Sequence, residues 1–252
     1  MANLPSIDYR ELLQTGEFSD FTIKCHAESF PVHKAILCQN SAYFATLLRS
    51  SFKARYHLPV MFTDIDCDVL KHLLDYFYRG TTDWKYPRED IMMNVRLWIL
   101  ADRFQAYPAM VAVERNLVRY IDCQRKMAAA AKPDVLNLVF SHAGDGKKIS
   151  AMTTLFGFSA WVTSCTSTAE IRSNIDAVAF NHQSLASMMF YYARHQINAA
   201  NRNINKPGSS GGCFEIPDTA SRLRQFDQLS WNSTGFGAAV QLTKIKDMWK
   251  KI

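Results

Sequence analysis

Between Phe21 and His26 apolar and polar residues alternate strictly. Phe21, Ile23 and Cys25 fall on one side, Thr22, Lys24 and His26 on the other, the period-two pattern of a strand with one buried face. Phe30 and Val32 predict a return strand after a tight turn, and Pro31 puts that strand at a sheet edge or near its end. At Val32-His33-Lys34 the pattern changes. Ala35, Ile36 and Leu37 form an apolar block, Asn40 or Ser41 suits a helix cap, and Tyr43, Phe44, Leu47 and Leu48 recur at helical spacing. Upstream, residues 3–17 predict a short helix with Leu12 and Leu13 on its apolar side, Ser6 or Asp8 as cap and Gly16 as stop.

Downstream, the run from His57 to Phe62 is strand-like, and Asp66 is placed to cap the clearest helix of the chain, CDVLKHLLDYFYRG. Val69, Leu70, Leu73, Leu74, Phe77 and Tyr78 share one face of it, with Gly80 at its C′ position. Asp90 caps a helix running through Phe104. Pro108 stops or restarts it, and Met110, Val113, Leu117, Val118 and Ile121 make a further amphipathic helix.

The second half reads as helix throughout. Residues 127–132 are helix-prone, and Pro133-Asp134 starts an amphipathic helix through Val135, Leu136, Val139 and Phe140, broken at Gly144-Asp145-Gly146. The apolar run from Ile149 to Thr163 predicts a buried helix. Thr166 to Glu170 fits a capping box, with Ser167 reaching Glu170. The helical segments after it carry Ile171, Ile175, Val178 and Phe180, then Leu185, Met188, Met189, Tyr191 and Tyr192 as apolar positions. Residues 198–212 are polar and predict a flexible loop. Near the C-terminus, Val240, Leu242, Ile245, Met248 and Trp249 form an apolar stripe flanked by lysines, which predicts a docked helix.

Several of these residues together resemble the BTB/POZ domain, a protein-interaction fold. They are Ser19-Asp20 before the first strand, Phe30-x-Val32-His33-Lys34, Ile36-Leu37, Ser41-Ala42-Tyr43-Phe44, Leu74-x-Tyr76-x-Tyr78-x-Gly80 and Ala101-Asp102-Arg103-Phe104. The resemblance covers residues 15–123. It implies an α+β fold, a small sheet with clustered helices, followed by an all-helical C-terminal region over residues 127–252 with its loop at 198–212. The compact layout, without MATH, Kelch or ankyrin repeats, is similar to the fungal BTB-domain proteins.

Composition narrows the class. At 252 residues, 48% hydrophobic and 12% aromatic, the chain suits a packed protein rather than a disordered one. No run approaches the ~18 apolar residues of a membrane span. The N-terminus lacks the basic start and apolar core of a secretory signal, so the expected location is the cytoplasm, the nucleus or both, where thiols stay reduced. The six cysteines are dispersed, with no zinc-type spacing, and are expected to be buried free thiols. Residues 1–126 hold 16 Lys+Arg against 15 Asp+Glu, while the remainder hold 13 against 8. That thin excess of positive charge reads as solvated surface, and nucleic acid is not the expected partner.

The resemblance also assigns candidate roles. In the family, an Asp at the first strand and a basic residue fourteen positions later meet in a charged pocket at the dimer interface, and Asp20 and Lys34 hold those positions. The residues alone read as an ordinary surface pair. Many BTB proteins are adaptors of cullin-RING ubiquitin ligases and carry a hydrophobic-x-Glu motif after the second helix. Here the aligned residues are Phe52-Lys53-Ala54, hydrophobe kept and acid missing. Phe52 either fills an apolar pocket on a cullin or tucks back on its own domain; Tyr43 and Phe44 are further candidate partner contacts. His33, His57 and His72 share no ligand or catalytic spacing, and the expectation for His33 is a local hydrogen bond. No catalytic, cofactor or metal motif appears. The expected function is therefore a non-enzymatic interaction module that dimerises and serves as a ligase adaptor, the alternative being a transcription or chromatin regulator without its own DNA-binding motif.

Overall fold

The computed structural model describes residues 8–50, 59–79, 90–121, 124–143 and 150–204. The first half is built on a three-stranded sheet in the order β2-β1-β3, from β1 (Phe21–Cys25), β2 (Glu28–Val32) and β3 (Val60–Phe62). β1 and β2 form an antiparallel hairpin with Phe21 opposite Val32 and Ile23 opposite Phe30. β3 joins the other side of β1 in parallel, with Ile23 beside Val60 and Cys25 beside Phe62. The alternation has its physical cause here: Phe21, Ile23 and Cys25 are buried on one face of the central strand. Pro31 costs the sheet nothing because β2 is an edge strand.

Helices enclose that face. α1 (Arg10–Thr15) precedes the sheet, and α2 (Lys34–Asn40) and α3 (Ala42–Ser50) follow the hairpin. α4 (Cys67–Arg79), α5 (Ile91–Arg103) and α6 (Tyr107–Tyr120) come after β3. α4 buries seven side chains, Val69, Leu70, Leu73, Leu74, Tyr76, Phe77 and Tyr78. At roughly 1.5–3 kcal/mol for each large apolar side chain, this one face supplies much of the hydrophobic drive of the half. The Asp66 and Asp90 carboxylates accept from the backbone N–H of Asp68 and Met93, each at 3.0 Å, and so start α4 and α5 as expected. α1 differs in one respect: it opens at Arg10, and the Asp8 carboxylate accepts its backbone N–H at 3.0 Å. Gly16 ends it in the left-handed conformation (φ 69°), where a Cβ would also come within 2.8 Å of Pro31.

Among the described residues the second half comprises α7 (Gln124–Ala130), α8 (Pro133–Ala143), α9 (Ala151–Thr166), α10 (Ala169–Asn181) and α11 (Gln183–Ile204). α9 is its centre and packs on α7, α8, α10 and α11, while α8 rests on α5. Met152, Leu155, Phe156, Ala160 and Val162 of α9 are buried, and Gly157 lies so close to Met188 of α11 that a Cβ would meet its Sδ at 2.9 Å. Buried residues of both halves form one contiguous core. No helix among the described residues is long and apolar enough to cross a membrane.

Four expectations need correction. Residues 198–204 are not loop: α11 runs on to Ile204, since a nucleated helix propagates through polar residues, and no glycine or proline interrupts the chain before Pro207. The cap of α10 falls on Thr168 without a side-chain bond, so Ser167 and Glu170 form no capping box; Ser150 and Thr153 form one at the head of α9 instead. Ile171, Phe180 and Tyr191 lie on the surface, although Ile175, Val178 and Leu185 are buried as expected. Cys165 is exposed, and Cys38 and Cys67 are only half-buried. Gly80, Gly144 to Gly146, residues 205–212 and the lysine-flanked stripe of 240–249 lie outside the described residues.

Candidate protein-interaction site

The end of the hairpin where β1 begins and β2 finishes is organised by polar bonds that reach far along the chain. Asp20, one residue before β1, accepts the backbone N–H of Lys34 at 2.8 Å, and Lys34 is the first residue of α2. Asp20 thus caps α2 from across the hairpin, because His33 at the N-cap position uses its side chain elsewhere. The two candidate dimer-pocket residues are brought together, through a carboxylate and a backbone amide. The Lys34 ammonium lies 5.9 Å from the centre of the Phe21 ring.

His33 is held on both ring nitrogens. Its Nε2 lies 2.8 Å from the Glu17 carbonyl oxygen, an acceptor, so Nε2 carries the proton. Nδ1 then accepts from the Tyr78 hydroxyl at 2.8 Å, and the same hydroxyl oxygen accepts the His33 backbone N–H at 2.8 Å. One buried hydroxyl therefore sets the tautomer of His33 and ties α4 to the start of α2. Burial pushes the Tyr78 hydroxyl up to about 12, which keeps it a donor. His33 does make the local hydrogen bonds expected of it. The role of Tyr78 was not legible, since its place on the apolar stripe of α4 hides a polar tip aimed 45 residues back.

Around this network the surface is apolar as well as charged. Phe18 is 79% exposed and adopts a left-handed backbone (φ 57°), a costly conformation for a bulky residue. Tyr9 is exposed nearby in sequence, and its N–H donates to the Tyr78 carbonyl at 2.8 Å, which seats the start of α1 against α4.

The partner-contact candidates separate. Phe44 is fully buried, packed on Phe104 with ring centroids 4.9 Å apart, so it is a core residue that a docking protein cannot reach. Tyr43 is half-buried, stacked on Phe104 at 5.2 Å. Ser41 fixes this corner: its hydroxyl donates to the Phe104 carbonyl and accepts the Phe44 backbone N–H. Phe52, with Lys53 and Ala54, lies outside the described residues. Asp64 and Asp66 before α4 and Asp68 in its first turn are paired with cations, Asp64 with Arg103 at 2.7 Å, Asp66 with Arg96 at 3.2 Å and Asp68 with Lys71 at 3.1 Å.

The architecture is a small mixed sheet walled by helices, with a structured polar edge. Residues 9–120 match the family model of the BTB/POZ domain, and the chain carries a BTB/POZ domain there. Among curated relatives it is 35% identical to Protein abrupt of Drosophila melanogaster over 43% of this chain and 12% of that protein. It is 44% identical to BTB and MATH domain-containing protein 41 of Caenorhabditis elegans over 38% of this chain and 23% of that one. With human Kelch-like protein 23 it shares 28% over 45% and 20% of the two chains. The chain thus covers less than a quarter of each. Of solved structures, the BTB domain of zebrafish PATZ1 matches 42% of this chain and 82% of its own at 19% identity (TM-score 0.35). The BTB domain of human gigaxonin matches 46% and 99% at 18% identity (TM-score 0.34). BTB/POZ domains are protein-interaction modules, and nothing among the described residues shows an enzymatic activity.

Proposed function

We propose that this chain dimerises through its BTB/POZ domain and acts in the cytoplasm or nucleus as a substrate adaptor of a cullin-RING ubiquitin ligase. The observation that carries the reading is the BTB/POZ match over residues 9–120 with an exposed aromatic, Phe18, beside the braced Asp20–His33–Lys34 edge. An apolar side chain held in a costly backbone conformation and left in water gains by burial against a second copy. Asp20 and Lys34 then serve twice, by bracing the hairpin and by lining the charged part of the dimer contact. The adaptor role rests on the family's use of a hydrophobe at the position of Phe52.

Light scattering coupled to size exclusion tests the dimer. The wild type is expected to elute with twice the chain mass and Phe18→Asp as a monomer; a wild type that stays monomeric at high concentration overturns dimerisation. Pull-down with a BTB-binding cullin tests the adaptor role. Capture by the wild type and loss in Phe52→Ala support it, and no capture by the wild type ends it.

A further inference from the structure

Two cysteines that stand 42 positions apart meet at the far end of the central strand. Cys25 is the last residue of β1 and Cys67 the first of α4, and their sulfurs are 2.7 Å apart. Ordinary non-bonded heavy atoms settle at roughly 3.5–4 Å, and a disulfide bond at about 2.05 Å. The two sulfurs are therefore in direct contact, with no atom between them. Backbone groups hold them there. The Cys25 thiol donates to the Ile65 carbonyl at 3.3 Å, and the Cys67 sulfur lies 3.1 Å from the Cys25 carbonyl oxygen. His26 follows Cys25 in the left-handed region (φ 52°); its backbone N–H donates to the Phe62 carbonyl at 3.2 Å and its Nε2 lies 3.0 Å from the Ile65 carbonyl.

The two thiols differ in access. Cys25 is fully buried, while Cys67 is half-buried. A metal is the rival use of the cluster, since Cys25, His26 and Cys67 each offer a ligand atom within 4.8 Å of the others. A tetrahedral zinc ion with Zn–S bonds of about 2.3 Å sets its sulfurs about 3.8 Å apart and in structural sites takes four protein ligands. These sulfurs would have to separate for zinc, and only this three-ligand group is present among the described residues. A disulfide asks for a small further approach.

We propose that Cys25 and Cys67 are a redox-modification site that closes to an intramolecular disulfide when the protein meets a peroxide. The Cys67 thiol attacks one peroxide oxygen, giving a sulfenic acid and one water. The Cys25 sulfur then attacks the Cys67 sulfur, forming the S–S bond; the sulfenic hydroxyl leaves with the Cys25 proton as a second water. Two thiols lose two electrons and the peroxide becomes two waters. A dithiol reductant reverses the step by thiol–disulfide exchange and is itself oxidised to a disulfide. The cross-link joins the centre of the sheet to α4, the helix whose Tyr78 braces the interaction edge.

The 252-residue chain is exposed to hydrogen peroxide, unfolded in denaturant containing a maleimide and mapped by mass spectrometry without reduction. A peptide pair joining Cys25 to Cys67 is expected, lighter by two hydrogens than the separate peptides, abolished by dithiothreitol and absent from Cys67→Ser. Its formation should also raise the thermal unfolding midpoint of the wild type and leave that of Cys67→Ser unmoved. Both cysteines remaining fully alkylatable, oxidation of Cys67 past the sulfenic stage without the cross-link, or pairing of either with Cys38 or Cys165 overturns the proposal. So does stoichiometric zinc in the untreated protein that Cys67→Ser releases.

Discussion

The two halves share one core but are held by different kinds of polar contact. In the BTB/POZ half the bonds reach far: Asp20 to Lys34, His33 to Tyr78, Ser41 to Phe104 and Cys25 to Ile65 span 14, 45, 63 and 40 positions. In the helical half the hydroxyls of Thr154, Ser159, Ser164 and Thr166 turn back on their own helix. Only a few bonds cross, such as the Tyr192 hydroxyl to the Thr154 carbonyl at 3.3 Å. Long-range polar bonds demand one register and one chain path, because a shift leaves a buried donor or acceptor unpaired. Local bonds tolerate variation. The contrast explains why the first half carries recognisable residue patterns and the second carries only apolar spacing.

The comparison can be broken most strongly at the aromatic corner. Phe44→Ala empties a fully buried site between Tyr43 and Phe104 and is expected to cost about 3–5 kcal/mol. Urea titration should show the loss in a single transition, since the core is continuous across both halves.

The joint between the halves offers a pH test. Glu114 on α6 accepts the indole N–H of Trp98 on α5 at 3.1 Å, and the ring of His142 on α8 sits against that indole, 5.1 Å between centroids. Burial raises the Glu114 carboxyl from the ordinary 4.5 to about 7, against the opposing effect of the Trp98 bond. The folded protein therefore keeps a proton that the unfolded chain has released. Stability falls as pH rises between about 4.5 and 7, by up to about 3 kcal/mol. Glu114→Gln keeps an acceptor for the indole and should flatten the slope of unfolding free energy over that window.

A probe confined to the second half is Gly157→Leu, which drives a side chain into Met188. Overpacking of this kind costs about 1–3 kcal/mol. Circular dichroism melting should move downward, while the cross-hairpin bonds of the first half persist in the folded protein. The smallest effect belongs to the edge itself. Asp20→Ala removes the cap on the Lys34 amide and is expected to cost about 1 kcal/mol. If Asp20 also lines a dimer contact, dilution should dissociate the variant at higher protein concentration than wild type.

Much of the fold was legible because it follows from period and end signals. The strand of Phe21, Ile23 and Cys25, the stripe of α4 and the caps at Asp66 and Asp90 act over a few residues, where spacing alone specifies geometry. The candidate interaction edge was half legible: Asp20 and Lys34 were singled out, but the atoms that meet are a carboxylate and a backbone amide. Phe44 was misassigned because an aromatic on a short helix reads alike whether it faces a core or a partner. Phe180, 91% exposed on an apolar-patterned helix, is the opposite error. Apolar spacing states which residues share a face and leaves open what lies against it.

By itself, then, the sequence determined the elements, their order and the BTB/POZ character of the first half, because each of these rests on local periodicity and a compact set of signature residues. Only the tertiary structure decided that Tyr78 sets the tautomer of His33, that α8 and α9 close onto α5 and α6, and that Cys25 lies against Cys67. Those relations join residues tens of positions apart, and no short-range pattern encodes a distance that the chain reaches only by folding.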